Sequence, residues 1–321
     1  MNRVGYFLRV SVIISTYAKE RSQEVLGCID SLKKQTLNPE EIILVLDPDK
    51  ELKSFYDSIV PSDVVLLPSE ERGLSKARNT GVRRSIGDVV AFIDDDAFAD
   101  SDWLRNLVEN YEQEDVLGVG GVTQPIWESG RPRSFPEELD WVVGCSYKGL
   151  PESGSCIRNP IGCNMSFRRK VFETIGYFES HLGRLGRKML GSEEAEFSMR
   201  LLRGFPESRI IYDPSAVVYH KVPKNRQTLR YFVKRCFYEG VSKRLMSAFD
   251  LEGGIGLSFE RHYLKYLLKV AIPSRIKQIH KWKNFLQLLM LLLSISLVLA
   301  GYLAATLSLL RINGRIGVSR K

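Results

Sequence analysis

Three consecutive carboxylates, Asp94, Asp95 and Asp96, directly follow an apolar segment that is predicted to be a buried strand. In open α/β sheets, ligands bind outside the carboxyl ends of the strands. Anions this close repel one another unless a cation lies between them. Oxygen ligands suit Mg²⁺ or Mn²⁺, which bind a few carboxylates together with substrate phosphates. The segment indicates a metal–phosphate site, with a solvated acidic turn before a helix near Asp102 as the structural alternative.

Helices and strands would have to position these carboxylates. In the first part of the sequence, short apolar, β-branched segments alternate with segments whose apolar residues have helical spacing. Such alternation predicts βαβ units, and hence an α/β fold in which a parallel sheet has helices on both faces. The predicted strands are Val10–Thr16, Glu41–Leu46, Asp63–Leu67, Asp88–Ile93 and Val116–Val122. The predicted helices between them are Glu20–Gln35, Gly73–Ser85 and Asp102–Tyr111.

The alternation stops after the fifth predicted strand. From Thr123 to Ile161 the chain carries five prolines and several glycines. A long irregular stretch inside a compact domain is more often a binding loop than a mere connection, so we predict one here. Regular structure is predicted to return as helices at Arg168–Ile175 and Glu193–Leu202 and as short strands at Arg209–Tyr212 and Ala216–Tyr219.

Charge is divided unevenly along the 321 residues, whose formal net charge is +8. From Lys221 onward there are 19 Lys and Arg against 4 Asp and Glu, whereas the residues before it are net acidic. This division indicates a catalytic domain held at an anionic membrane surface. The acidic part would repel nucleic acid, so no nucleic-acid partner is expected. With 44% hydrophobic residues, disorder throughout is excluded.

The cysteines are odd in number and form no CxxC pair. They are Cys28, Cys145, Cys156, Cys163 and Cys236. This pattern predicts reduced thiols in a cytosolic domain rather than a disulfide framework or a zinc knuckle. No apolar stretch precedes the first predicted strand, so a secretory signal peptide is not expected.

A long apolar segment lies near the end of the sequence, because Asn284 to Leu310 contains no charged residue. As a helix it would be about 40 Å long, enough for one crossing of a ~30 Å hydrocarbon core, whereas two crossings would need about 40 residues. The alternative is a buried core helix. Basic residues are denser on the N-terminal flank, which predicts a single-pass cell-membrane protein with its large domain in the cytoplasm. The flanking residues are Lys277, Lys281 and Lys283 before the segment, and Arg311 and Arg315 after it.

Two basic helices are predicted before this segment. Arg226, Arg230 and Lys234 are spaced four residues apart, which places them on one helical face. That face is predicted to contact phosphate of a nucleotide or a lipid, with a solvated basic face as the alternative. A second helix, predicted to end at Pro273, is amphipathic and suits a membrane interface. Its basic residues are Arg261, Lys265 and Lys269.

Four motifs occur in order before residue 97: Ser15-Thr16-Tyr17, Asp47, the segment from Gly73 to Gly81, and Asp94-x-Asp96. This order resembles family-2 glycosyltransferases, which are inverting enzymes of the GT-A fold that use nucleotide sugars. The resemblance covers roughly residues 10–238. It implies a Rossmann-like nucleotide-diphospho-sugar transferase domain with a parallel-rich sheet. The basic helices and one transmembrane helix would follow that domain.

The resemblance also implies roles for individual residues. The residues expected to contact the nucleotide sugar are Thr16, Asp47, Arg78, Asp94 and Asp95. Asp96 and Asp94 would ligate a divalent metal, Mg²⁺ or Mn²⁺, and His220 would complete that site; a strand-end histidine with a structural partner is the alternative. The sequence departs from the family where Asp47-Pro48-Asp49 replaces Asp-Asn-x-Ser, so Asp49 is a second candidate for the nucleotide contact.

The second half resembles the acceptor side of the same family. Gly162-Cys163-Asn164 leads to Arg168-Arg169, and Gly191-Ser192 precedes two glutamates. The family has its general base at the fourth place of the latter motif, which implies that Glu194 deprotonates the acceptor hydroxyl, with Glu193 as the competitor. The structural alternative is that these acidic residues favour the N-terminus of a helix.

These observations predict an inverting glycosyltransferase that uses a nucleotide-diphosphate sugar. Its acceptor would be a hydroxyl or phosphate on a polyprenyl- or dolichyl-phosphate-linked glycan, as in N-glycan or cell-surface glycan assembly. The alternatives are a nucleotidyltransferase, although residues 15–21 lack the Gly-rich loop it needs, and a glycosyltransferase acting on a soluble glycan or protein. The predicted divisions are a catalytic domain over 1–225 (donor half about 10–122, acceptor half about 123–225), basic helices over 226–283, a transmembrane helix over 284–310 and a basic tail over 311–321.

Overall fold

An eight-stranded mixed sheet runs through the protein, in the strand order β3-β2-β1-β4-β7-β6-β8-β5. The computed structural model describes residues 8–151, 153–180, 193–249 and 258–318. The strands are β1 (Val10–Thr16), β2 (Glu41–Leu46), β3 (Val65–Pro68), β4 (Val89–Asp94), β5 (Ala97–Ala99), β6 (Val116–Trp127), β7 (Asn164–Arg168) and β8 (Arg209–Val222).

Helices cover both faces of the sheet, as predicted. Successive side chains of β1 point to opposite faces, so Val12 packs into one apolar cluster with Ile29 and Leu104. Ile13 packs into the other cluster with Val82. The helices are α1 (Ser22–Lys33), α2 (Lys50–Ile59), α3 (Leu74–Arg84), α4 (Trp103–Glu109), α5 (Arg169–Ile175), α6 (Glu193–Gly204), α7 (Leu229–Phe249), α8 (Ser258–Tyr266), α9 (Ile272–Lys277) and α10 (Trp282–Val318).

The strand directions confirm the parallel-rich fold class but correct the expectation of a wholly parallel sheet. β1 runs parallel to β2 and β4, β2 to β3, and β6 to β8. β7 runs antiparallel between β4 and β6, and β5 runs antiparallel to β8. Sequence reasoning missed β5, β7 and α2. An antiparallel strand needs no crossover helix, so β7 left no βαβ signal in the sequence.

The expected pair of short strands near residue 214 is wrong, because β8 is one strand of 14 residues. Pro214 suggested a break, since it cannot donate to a ladder hydrogen bond. The sheet accommodates it by a register shift: Asp213 pairs with Gly121, and the next pair along is Val217 with Val122. The extra residues form a bulge, which bends the strand and lets it continue. Its partner β6 likewise continues to Trp127, inside the stretch expected to be irregular.

Two expectations about the basic segments are wrong. Arg226 lies in a 3₁₀ turn before α7, so it does not share a helical face with Arg230 and Lys234. The second basic helix does not end at Pro273, because a π-helical turn (Leu267–Ala271) joins α8 to α9. Proline there occupies the first turn of α9, where a missing N–H costs little.

The long helix α10 packs tightly against α7. A Cβ built on Gly240 would overlap the carbonyl oxygen of Val298, and one on Gly301 would overlap that of Phe237. Small residues at both points let the two backbones approach closely. Within α10, the 29 residues Trp282–Leu310 contain an 18-residue window with a mean hydropathy of 2.4 and are long and apolar enough to cross a membrane. This candidate membrane helix is therefore also part of the packed structure.

We expect Gly301→Val to destabilise the protein by about 2 kcal/mol or more, because the new side chain meets backbone atoms of α7 that cannot rotate away. Thermal unfolding in detergent measures this loss. The matched control is Ala300→Val, at the adjacent exposed position of the same helix. Equal unfolding temperatures for the two variants would show that the contact between α7 and α10 does not contribute to stability.

Candidate active site

The carboxyl ends of β1, β2 and β4 meet at one edge of the sheet, where Ser15 is in register with Asp94. Thr16 is buried at the end of β1, and Asp47 follows β2. Asp47 Oδ1 lies 3.4 Å from the backbone nitrogen of Gly73, and burial raises the pKa of this carboxyl group. Gly73 opens α3 with a φ of 126°, which side-chain-bearing residues rarely adopt. The predicted donor residues thus lie along the expected edge.

Asp49, the second candidate for the nucleotide contact, has a structural role. Its Oδ1 accepts a hydrogen bond from the backbone N–H of Leu52 at 2.9 Å. It is therefore the N-cap of α2, a helix that sequence reasoning missed.

The three aspartates after β4 are crowded but surrounded by cationic side chains. Arg21 Nη1 lies 2.8 Å from Asp95 Oδ1, and its Nη2 lies 2.5 Å from Asp96 Oδ2. Asp96 also lies 3.1 Å from His220 Nε2 and 3.4 Å from Arg226 Nη2. Burial raises the pKa of Asp95 to about 7; the negative charges of Asp96 and Asp94 add to this effect, and Arg21 opposes it. Burial alone would raise the pKa of Asp96 too, but His220, Arg226 and Arg21 hold it well below its usual range.

A possible metal site lies beside this cluster. Ligand atoms of Asp94, Cys163 and His220 all lie within 4.8 Å of one another. Burial raises the pKa of the Cys163 thiol well above its usual value, so it stays protonated and is a weak ligand. Without it, one carboxylate and one imidazole remain. Asp96, whose Oδ1 lies 3.1 Å from His220 Nε2, can add a second carboxylate, and Mn²⁺ or Mg²⁺ accepts such donors. A buried oxygen of Asp95 has no hydrogen-bond partner among the described residues, and a bound cation would satisfy it.

Arg78 joins three of the sequence motifs. Its guanidinium group donates to Glu193 Oε1 at 3.0 Å, to Asp94 Oδ1 at 3.3 Å and to the carbonyl oxygen of Gly162 at 2.8 Å. The arginine is buried, as is Glu193, whereas the Asp94 side chain is 31% exposed. One guanidinium group therefore holds α3, β4, the segment before β7 and the start of α6 together.

The two adjacent glutamates of α6 differ in their surroundings. Glu193 is buried against Arg78, whereas Glu194 is partly exposed and lines a cavity with it. Burial, with Glu193 as a neighbouring negative charge, raises the pKa of Glu194 to about 8. Gly191 and Ser192, the start of this motif, lie outside the described residues. Both carboxylates line the cavity, and Glu194 is the more exposed of the two.

The cavity has a volume of about 560 Å³ and extends from the sheet edge to α10. Asp94, Arg78 and Glu194 line one end of it, and Val298 and Tyr302 line the other. Two basic residues predicted to contact phosphate lie elsewhere, because Arg230 and Lys234 are exposed on α7. Sequence reasoning missed Arg21 and Cys163 as neighbours of the aspartates, since only the folded chain brings them there.

Comparison with known proteins gives consistent results. Glycosyl transferase family 2 matches residues 11–176. The glucosyl-dolichyl phosphate glucuronosyltransferase of Haloferax volcanii is 37% identical over 276 residues, covering 85% of this chain and 87% of that protein. Succinoglycan biosynthesis protein ExoM of Rhizobium meliloti is 27% identical over 246 residues, covering 73% of each.

A solved structure extends the similarity to the fold. Mannosyltransferase PcManGT from Pyrobaculum calidifontis, in complex with GDP-Man and Mn²⁺, superimposes with a TM-score of 0.57 at 20% identity. The match covers 98% of this chain and 81% of that one. The curled, parallel-rich sheet is thus a GT-A-like fold.

We expect Arg78→Gln to lower the free energy of unfolding by about 3–5 kcal/mol, because it leaves Glu193 buried without its cation. The double variant Arg78→Gln with Glu193→Gln should recover part of the loss. Chemical denaturation in detergent measures both. Lys53→Gln is the control: its ion pair with Asp57 is solvent-exposed at both ends, so it should change stability by less than about 0.5 kcal/mol. A loss for Arg78→Gln as small as the control's would contradict the role of this ion pair.

Proposed function

The chain belongs to glycosyl transferase family 2, and we propose that it moves a sugar, with inversion, from a nucleotide-diphosphate sugar to an acceptor linked to a polyprenyl-type lipid phosphate. The observation that carries this proposal is the single cavity that has carboxylates at one end and the apolar helix α10 at the other. The nucleotide-sugar donor would bind at the end with the carboxylates, and a lipid-linked acceptor would fit the end at α10.

On this proposal the donor lies over the carboxyl ends of β1, β2 and β4. Thr16 and Asp47 contact the nucleoside, and Asp47 accepts hydrogen bonds from the base. Arg78, Asp94 and Asp95 line the rest of the donor site. The exposure of Asp94 supports this, since it is the only one of the three clustered aspartates whose side chain is not almost fully buried.

A divalent cation, Mg²⁺ or Mn²⁺, would be held by Asp94, Asp96 and His220. When bound, such an ion stabilises the negative charge that develops on a departing diphosphate. The closeness of His220 to Asp94 and to Asp96 supports this assignment, as does the Mn²⁺ bound to the mannosyltransferase of similar fold. Arg21 and Arg226 already touch Asp96, so they hold this carboxylate in place and add positive charge beside the diphosphate.

Glu194 is the proposed general base. It removes the proton from the acceptor hydroxyl while that oxygen attacks the anomeric carbon from the face opposite the diphosphate, which inverts the configuration. The partial exposure of Glu194 in the cavity supports this role. Glu193, buried against Arg78, is then a positioning residue that fixes the start of α6. The raised pKa of Glu194 suits this role. A base whose pKa is near the working pH is a stronger proton acceptor than an ordinary carboxylate, yet a useful fraction of it is still ionised.

The acceptor would reach Glu194 from the membrane side. The dolichyl phosphate in the name of the Haloferax volcanii relative supports a lipid-linked acceptor. The candidate membrane helix supports membrane attachment, and the denser basic flank before it supports a single crossing with the catalytic domain on the cytoplasmic side. Residues 10–122 would then serve the donor and residues 123–225 the acceptor.

The experiment that tests this function is a donor screen with purified full-length protein in detergent and mass detection of products. Polyprenyl-phosphate-linked sugars, soluble oligosaccharides and a protein acceptor are offered in parallel. Sugar transfer to the lipid-linked acceptors supports the proposal. Transfer only to soluble acceptors would refute the lipid-linked acceptor. Release of inorganic pyrophosphate from a nucleoside triphosphate would indicate a nucleotidyltransferase instead.

We expect excess chelator to abolish transfer and added Mg²⁺ or Mn²⁺ to restore it. Asp96→Asn should lower the rate by roughly 100-fold or more, while keeping the shape of the side chain and part of its hydrogen bonding. An unchanged near-UV circular dichroism spectrum would confirm that this variant is folded. A full rate in the presence of chelator would rule out the metal site.

We expect Glu194→Gln to leave donor binding nearly intact and to lower the transfer rate by roughly 100-fold or more. The base acts when ionised, so the wild-type rate should rise with pH up to about 8 and then level off. The Gln variant should lose this rise. Glu193→Gln serves as the comparison, since it should act mainly on stability through Arg78. A larger loss of rate in Glu193→Gln than in Glu194→Gln would reassign the base.

A further inference from the structure

A chain of five alternating charges lines the cavity between Glu194 and α10. Arg235 lies 2.6 Å from Glu239, and Lys243 lies 3.0 Å from the same carboxylate. Lys243 also lies 2.7 Å from Glu260, which receives two hydrogen bonds from Arg158 at 2.7 and 2.8 Å. These residues come from α7, α8 and the segment before β7, and the proposed catalytic roles use none of them.

This charged chain has one more cation than anion. Burial would raise the pKa of Glu239, but Lys243 and Arg235 lower it to about 2. Lys243 and Arg158 likewise lower that of Glu260 to about 2 against the effect of burial. Both glutamates are therefore ionised at neutral pH, and three cations face two anions. Glu194 also lies near Arg235, but its raised pKa of about 8 keeps most of it neutral at pH 7, so the net positive charge of this chain favours binding of one anionic group.

The wall beside the charged chain is apolar. Leu264 of α8 and Leu267 of the π-helical turn form part of it, and α10 contributes Ile295, Val298 and Leu299. Two of these residues are also strongly exposed to the outside, Leu264 at 41% and Leu299 at 56%. Because these two residues line the cavity and are also exposed at the surface, they lie at the mouth of the cavity, on the side of the candidate membrane helix.

We propose that this part of the cavity binds a single-chain lipid phosphate, with the phosphate against Arg235 and Lys243 and the hydrocarbon chain leaving between Leu264 and Leu299. The inference rests on the proposed function, because it places the acceptor in the same cavity as Glu194. A soluble glycan would need hydroxyl-binding groups along its whole path, whereas this wall is mainly aliphatic, with Tyr263, Ser294 and Tyr302 as its hydroxyl groups. A phosphate with an apolar tail matches both the excess cation and the wall.

The test is equilibrium binding of radiolabelled farnesyl phosphate to the full chain in lipid nanodiscs, with no donor and with chelator present. We expect Lys243→Gln to weaken binding at least tenfold. The matched control is Lys234→Gln, an exposed lysine of the same helix, which should change binding less than twofold. Equal affinities for the two variants would overturn the proposal.

Two competitors separate the phosphate from the tail. Farnesol and inorganic phosphate should each compete at least tenfold more weakly than unlabelled farnesyl phosphate. Competition by farnesol as strong as that by farnesyl phosphate would overturn the phosphate site. Equally strong competition by inorganic phosphate would show a site for the free anion and overturn the lipid site.

A second measurement uses the unaltered protein and does not depend on how variants fold. A photoreactive farnesyl phosphate should label peptides that contain Leu264 or Leu299, and excess unlabelled probe should suppress the labelling. Labelling confined to the outward-facing Leu303 and Leu307 would overturn the proposal. Binding at this site without sugar transfer to any lipid would refute the proposed function alone. Lipid transfer that survives in Lys243→Gln with unchanged acceptor KM would refute this site alone.

Discussion

The crowding of three carboxylates at the end of β4 is the constraint on which the rest of this structure depends. Such anions repel one another at a partly buried site, and cationic side chains from distant segments of the chain compensate their charge. Arg21 comes from the turn before α1, Arg78 from α3, and Arg226 from the turn before α7. His220 arrives at the end of β8. Neutralising one strand end therefore brings together elements that are more than 100 residues apart.

The same need for charge compensation recurs along the cavity. Near the sheet edge, Arg78 balances Asp94 and Glu193; near α10, the pairs are made by Arg235, Lys243 and their glutamates. Charges in a medium of low polarity interact strongly, so each group is held in a fixed position before any ligand arrives. The cavity thereby combines a polar, ordered interior with an apolar wall. A substrate with one charged end and one hydrocarbon end would match both regions.

Local patterns in the sequence were enough for the parallel strands β1 to β4, the aspartates at the end of β4 and the position of the two glutamates, because each depends on neighbouring residues. Long-range contacts were not accessible in this way. Nothing near Arg78 indicates that its main partner is Glu193, 115 residues later. The spacing of Arg226 suggested a helical face, yet the 3₁₀ turn that contains it aims the side chain at Asp96. Pro214 suggested a break that a bulge avoids.

The close backbone contacts that Gly240 and Gly301 permit between α7 and α10 have a consequence for how substrates are met. A catalytic domain on a flexible tether tumbles, and every productive encounter must again lose that rotational freedom. Here α7 is fastened to α10 along a backbone-to-backbone contact, so the cavity mouth keeps one orientation relative to the apolar helix. The entropy of alignment is lost once, when the chain folds. In a bilayer, lipids diffusing in two dimensions would then meet an opening that already faces them.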